Sequence, residues 1–399
     1  MNPSRNTQAV RYVLEGASVL IIAALLSALG ALHFTRPPIQ YESQDPALEN
    51  TVQARVLDIK ESQIQEDDVG FVQIYQLLEL EITSKGEYQG QRVTVAYNGM
   101  GSAARDVAFK VGERALVMIN TPPDSAPFGN GAPGDASTHF IVTDHIRLMP
   151  LVALTGVLAL AAVLIGKWQG VRALIGLSLS VVMLGGFIIP QILAERDPTF
   201  VTLVGTGATL AVTLFLIQGW NPPAHAALLS IIASLAATAL LAILWTRLAH
   251  LSGFGSEETL YLHAMGVRLN MRGLLLAGAI IGAGGVLDDV VLAQSVSAFE
   301  LAAAAPDLGF RELYRRTMKV GNAHLLTMVN TLVLAYASTA LPLIILFVLY
   351  PEPGYMTLNR ELIAQEVVHA LVGSLGVMLA VPLTSGIAAW VAGKTINPI

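Results

Sequence analysis

Residues 17–34, "ASVLIIAALLSALGALHF", form one unbroken apolar run behind Arg5 and Arg11. Crossing a bilayer takes about 18–20 such residues. The run ends in His33, Phe34 and Arg36 rather than at a small-residue cleavage site, so it fits an uncleaved signal-anchor helix over 1–34. The pattern then changes period. Between 35 and 148 short runs alternate apolar and polar positions: "TVQARVLDIKE", "FVQIYQLLELEIT", "QRVTVAYN", "ERALVMIN" and "HFIVTDHIRL". Turn-forming stretches separate them, among them "KGEYQG", "NGMGS" and "TPPDSAPFGNGAPGD". Five strands in about a hundred residues predict a small all-β domain, an OB-like barrel with a small sandwich as the alternative.

After Met149 the chain returns to long apolar runs. They predict seven more spans near 150–166, 171–193, 199–217, 225–246, 271–298, 322–349 and 363–391. The expected fold is a polytopic α-helical membrane protein. It has eight transmembrane helices, a signal anchor (1–34), a β domain between helices 1 and 2 (35–148) and a seven-helix membrane domain (149–399). Residues 306–321, "PDLGFRELYRRTMKVG", read as a basic amphipathic link. Phe310, Leu313, Tyr314 and Thr317 share one face, and Arg311, Arg315, Arg316 and Lys319 occupy the rest. Such a face suits the inner leaflet, although an ordinary positively charged loop has the same composition.

Composition narrows the function classes. Hydrophobic residues make up 54% of the chain and charged ones 13%, with a mean hydropathy of +0.60; a soluble domain carries about a quarter charged residues. The absence of cysteine excludes disulfides, thiolate metal sites and thiol chemistry. A net charge of −6 argues against nucleic acid as a partner. The positive-inside rule favours cytoplasmic termini and an extracytoplasmic β domain. Arg5, Arg11, Lys167, Arg172, Arg311, Arg315, Arg316, Lys319 and Lys394 then lie inside, against Arg196, Arg247, Arg268, Arg272 and Arg360 outside. Three of the outer arginines fall within 247–272, the stretch that fits this topology least.

Candidate chemistry lies in the last three long spans. At 100° per residue, Gly278, Gly282, Gly285, Asp289, Val296 and Glu300 share an arc of about 60°. The glycines predict close packing against a neighbouring helix, and the stripe ends in carboxylates. Asp288 lies about 100° away, in line with Gly284 and Ser295, so the two aspartates do not form a proton-sharing dyad. The next span carries His324, Thr327, Asn330, Thr331 and Ser338 within about 120°, and the last carries Glu366, His369, Gly373, Ala380 and Thr384. Pro342 and Pro382 are expected to kink these helices. An aspartate at mid-bilayer costs about 2.5–3.5 kcal/mol on insertion scales, so such residues usually face a cavity or partner and mark ion pathways. The bland reading is interhelical hydrogen bonding for the Ser, Thr and Asn residues, and packing for His324 and His369. Glu300, near a helix end, can simply be solvated.

Two enzymatic readings fail. Intramembrane aspartyl proteolysis needs carboxylates from two helices, and neither following span carries an aspartate. "AGKT" at 392–395 ends like a phosphate-binding loop, but Ala388 stands where its first glycine belongs. No catalytic, metal or cofactor set remains, and no cofactor is expected.

With these residues in view, the chain resembles the YibE/F family of bacterial membrane proteins. The likeness is strongest in "GGVLDDVVLAQSVSAFELAAAAPDLGFRELYRRTMKVGNAHLLTMVNTLVLAYASTALPLIILF" and continues in "SLGVMLAVPLT". It implies a multi-pass protein of the bacterial inner membrane with an extracytoplasmic domain after the first span. The family's acidic position corresponds to Asp289, and the place of Asp288 can be apolar. The order of elements is also similar to the C-terminal half of SecD/SecF-type and other RND proteins, whose membrane carboxylates harness the proton gradient. The functional expectation is a proton- or cation-coupled transporter or motive protein, with Asp289, Asp288, Thr327, Asn330, Thr331, Glu366 and Glu300 on the path. The alternative is a scaffold or envelope-assembly partner whose β domain binds protein or polysaccharide. Expected partners are the lipid bilayer, an ion or solute, and a second copy or another membrane protein.

Overall fold

Alternation in the polar segment produces five strands: β1 (Thr51–Glu66), β2 (Val72–Ile82), β3 (Arg92–Met100), β4 (Arg114–Asn120) and β5 (His139–His145). The structure, a computed structural model, describes residues 5–35, 51–66, 72–100, 108–120, 139–350 and 352–396. The turn sequence at 121–135 therefore lies outside the described residues. The chain divides into two compact units, Gln40–Leu160, and Met1–Ile39 together with Ala161–Ile399.

In the first unit the strands form one antiparallel sheet of order β3-β2-β1-β4-β5. Even-numbered positions of β2 from Val72 to Ile82 point inward, as a half-buried strand of period two requires. Register shifts between Val56 and Asp58 and between Ile59 and Glu61 bend β1, and bulges of this kind curl a sheet. The inner face gathers Ala54, Val56, Leu78, Leu80, Ile82, Val95, Ala115, Val117 and Val142 around Phe109. Gln76 fixes that ring from its backbone: Phe109 N donates to Oε1 at 2.8 Å, and Nε2 donates to Phe109 O at 3.2 Å. Phe109 stacks on His145 of β5 at 3.7 Å and meets Tyr97 of β3 edge-on at 4.8 Å. The two edge strands thus approach across an aromatic cluster. No ladder joins them among the described residues, so the expected closed barrel is here a half-barrel.

The second unit is helical. Its main elements are α1 (Arg5–Thr35), α2 (Leu148–Met183, which starts in the first unit), α3 (Ile189–Leu193), α4 (Pro198–Gln218), α5 (Pro222–Leu248), α6 (Glu257–Ala264), α7 (Met271–Ala304), α8 (Phe310–Thr339), α9 (Leu341–Leu349), α10 (Gly354–Asn359) and α11 (Glu361–Ile396). Among the described residues, seven stretches are long and apolar enough to cross a membrane. The difference from the expected eight arises at 150–193, where two predicted spans occupy one 46-residue apolar run, Leu148–Leu193. That run is broken at Lys167 (φ 50°, ψ −127°). A Cβ on Gly170 would fall against the carbonyl of Ala162, which a straight helix would hold about 12 Å away along its axis. A π-turn, Leu184–Ile188, then links α2 to α3.

Two further boundaries differ from expectation. Residues 310–321 are no separate link, because α8 begins at Phe310 and runs on without a break. Pro342 ends the predicted 322–349 span early: α8 stops at Thr339 and Pro342 enters the first turn of α9, where its missing N–H is harmless. Pro382, in contrast, sits inside the continuous α11.

The core forms where α11 packs along α5, α7 and α8, with α4 on the far side of α7. Small residues permit the close approaches. A Cβ on Gly376 of α11 would lie 2.4 Å from Thr238 Oγ1 of α5, and one on Gly284 of α7 would lie 2.7 Å from Thr206 of α4. Several buried hydroxyls return to their own helices. Thr209, Ser230, Thr238, Ser374 and Ser385 each donate to the carbonyl four residues back. That satisfies a polar group where no water can.

Candidate functional site

Asp288 and Asp289 stand halfway along the 34-residue α7, where a carboxylate is most costly in a bilayer. The structure separates them as the helical spacing predicts. Asp288 is half-buried, and its Oδ1 is buried without a hydrogen-bond partner among the described residues. It lies on the arc of Gly284, which touches α4, and of Ser295, whose Oγ donates to Pro223 O at the start of α5 (2.8 Å). Asp289 is exposed and makes no hydrogen bond or ion pair among the described residues.

The glycines of the Asp289 stripe divide. Gly278 and Gly285 face open space, while a Cβ on Gly282 would lie 2.8 Å from Tyr336 Oη of α8. Close packing along this part of α7 therefore falls at Gly282 and Gly284 and not at Gly278 or Gly285. Glu300 is exposed near the C-terminal end of α7.

The α8 stripe also opens outward: His324, Thr327, Asn330, Thr331 and Ser338 are all exposed. The packing face of α8 is instead Leu313, Thr317, Gly321, Leu325 and Leu332. Two contacts set the level of the helices. Gln294 Nε2 of α7 donates to Thr317 O (2.8 Å) and to Ser385 Oγ of α11 (2.7 Å), and Gly282 meets Tyr336 further along. The aspartates fall between these contacts, roughly level with Leu325–Met328 on α8 at 1.5 Å per residue. Thr331 Oγ1 donates to Thr327 O within its own helix.

The α11 residues form a second group. His369 Nε2 is 3.2 Å from Leu275 O of α7, and its ring lies 6.4 Å from that of Tyr336. Glu366 is near enough to act electrostatically on both, and Gly373 lies beside the Tyr336 ring. Tyr336 thus links α7, α8 and α11 about seven residues from Asp289, some 10 Å along the axis. Thr384 is buried in α11, its Oγ1 unpartnered among the described residues.

The structure therefore brings Gly282, Tyr336, Glu366, His369 and Gly373 together. It leaves Asp289, Thr327, Asn330 and Thr331 on open faces of α7 and α8. Gln294 and Tyr336 joined the site only with coordinates. Gln294 was legible as an amide inside an apolar run, but its role depends on Gly321, whose missing side chain leaves space for it. No group of three or more metal-ligating side chains occurs among the described residues. Chemically, the arrangement offers two neighbouring carboxylates in different surroundings, one exposed and one half-buried.

No curated protein and no solved structure matches the chain. Residues 154–394, which carry the broken α2 run through α11 and every candidate residue above, match the YibE/F-like protein family, and the chain belongs to that family.

Proposed function

We propose that the protein is a proton- or cation-coupled membrane transporter or motive protein, with the Asp288–Asp289 pair as its loading site. One observation carries this reading. At mid-span the open carboxylate of Asp289 adjoins the half-buried Asp288, whose Oδ1 has no hydrogen-bond partner among the described residues. A carboxylate oxygen left unpaired in an apolar interior is costly as an anion and tolerable once protonated or ion-bound. Asp289 takes the ion from the open side, Asp288 receives or repels it, and Thr327, Asn330 and Thr331 supply hydroxyl and amide groups at the same depth. Tyr336, Glu366 and His369 continue the polar track along α8 and α11. The layout likeness to SecD/SecF-type proteins is part of this reading.

The same proposal takes the chain as a bacterial inner-membrane protein with both termini cytoplasmic. The break at Lys167 makes a reversal between two short spans, giving eight in all, and the extracytoplasmic β domain is OB-like, closing where β3 and β5 approach. The test is proton flux in proteoliposomes. Wild type should carry an ionophore-independent flux that Asp289→Asn removes with helix content unchanged; equal flux in the two ends the coupling role.

A second reading, a scaffold or envelope-assembly partner, draws on the outward face of α8. His324, Thr327, Asn330 and Thr331 are exposed there, as expected of a surface that another chain covers. Proteoliposomes of the wild type without flux, together with a stable membrane complex isolated on the intact chain, would favour it.

A further inference from the structure

Two of the three arginines of 247–272, the stretch that fits the membrane topology least, line a cavity: Arg247 and Arg272. Where α4 and α7 begin and α5 ends, a recess of about 280 Å³ is lined by Arg247, Arg272, Thr246, Asn270 and Asp197, among others. Two helix N-termini converge on it. Asp197 caps α4 through Phe200 N (2.8 Å), Asn270 caps α7 through Gly273 N (3.0 Å), and a Cβ on Gly273 would lie 2.9 Å from Pro198 Cδ. Each cap takes one N–H and Pro198 has none to offer, but both termini still present the partial positive end of a helix.

The side chains reinforce that field. Arg272 Nε donates to Leu251 O at 2.9 Å, which aims the guanidinium while leaving its terminal nitrogens without a partner among the described residues. Arg247, exposed in the last turn of α5, makes no ion pair or hydrogen bond among them. Thr246 supplies an independent sign of a ligand. It is 2% exposed and lines the cavity, and its hydroxyl has no partner among the described residues. Asp197 is the one carboxylate on the wall among the described residues; it offsets one of the two cationic charges and leaves an excess of one. Two guanidinium forks, a free hydroxyl and two helix N-termini match the tetrahedral oxygens of a phosphate. The volume exceeds that of a bare ion, so there is room for an esterified group.

We propose that this recess binds a phosphate group, carried either by a phospholipid headgroup at the rim of the helical unit or by a soluble phosphate. The test uses the full chain in dodecyl maltoside at constant ionic strength and follows thermal unfolding. The probes are sodium phosphate, dihexanoyl phosphatidylglycerol and, as a control, phosphate-free monoolein. Binding to the folded state raises the transition with ligand concentration. A rise with phosphatidylglycerol alone identifies a headgroup site, and a rise with sodium phosphate identifies a soluble one. Arg247→Gln, which removes no hydrogen bond or ion pair among the described residues, should weaken half-saturation about tenfold, as loss of one charge-assisted pair does. Asp197→Asn keeps the helix cap and should tighten binding severalfold by removing the repelling carboxylate. The proposal is overturned if neither phosphate probe shifts the transition more than monoolein. It is also overturned if Arg247→Gln and Asp197→Asn both bind as the wild type does.

Discussion

Asp288 and Asp289 show how far one residue of helical rotation separates environments: the first looks toward Gly284 and Ser295, and the second toward open space. The same resolution applies to Gln294, whose amide joins α7 to α8 and α11 through Thr317 O and Ser385 Oγ. Interhelical bonds of this kind contribute about 0.6–1.7 kcal/mol in membrane proteins. Gln294→Leu should therefore lower unfolding stability by roughly that amount, read in detergent or bicelles, and unchanged stability would remove Gln294 as a tie. Gly376 makes a sterner demand, since its Cβ position is already occupied by Thr238. Gly376→Ala should force α5 and α11 apart and cost about 1–3 kcal/mol by overpacking; a variant as stable as the wild type would contradict the contact.

Among the elements, four strands were legible almost to their ends, because a half-buried strand writes its period of two directly into the sequence, whereas β1 runs on past the expected Glu61 to Glu66. The helical runs were legible as spans but not in their divisions. Lys167 and Pro342 decide where the helices break, and apolar content alone does not reveal whether a chain bends at such a point. The α8 stripe was legible as a stripe, yet its direction was not. Polar residues in a span are expected to face protein, but Leu313, Gly321, Leu325 and Leu332 supply the packing surface instead. Loops joining elements hold contacts that sequence spacing hides. Glu361, at the start of α11, accepts from Ser252 N (2.6 Å), Ser252 Oγ and Gly253 N (2.8 Å), more than a hundred residues away in sequence. Gly253, at φ +88°, lies so close to Met271 O that a side chain has no room. Glu361→Ala should leave those donors unsatisfied and cost about 1–3 kcal/mol, measured as a lower unfolding midpoint.

For the whole molecule the central matter is what covers the exposed polar residues of α7 and α8. If they line a wet path, cysteines placed there in this cysteine-free chain should react with a charged, membrane-impermeant thiol reagent. Gly285→Cys and Thr327→Cys should label, and Leu326→Cys, exposed on another arc of α8, should not. Labelling confined to Leu326→Cys would contradict a water-filled route. The coupling claim itself is most directly tested by proton uptake into proteoliposomes holding an internal pH dye, driven by an imposed pH gradient. Wild-type protein should acidify the lumen faster than empty vesicles, Asp289→Asn should fall to the empty-vesicle rate, and Asp288→Asn should slow uptake. A wild-type rate equal to that of empty vesicles, or an Asp289→Asn rate equal to wild type, would contradict the account.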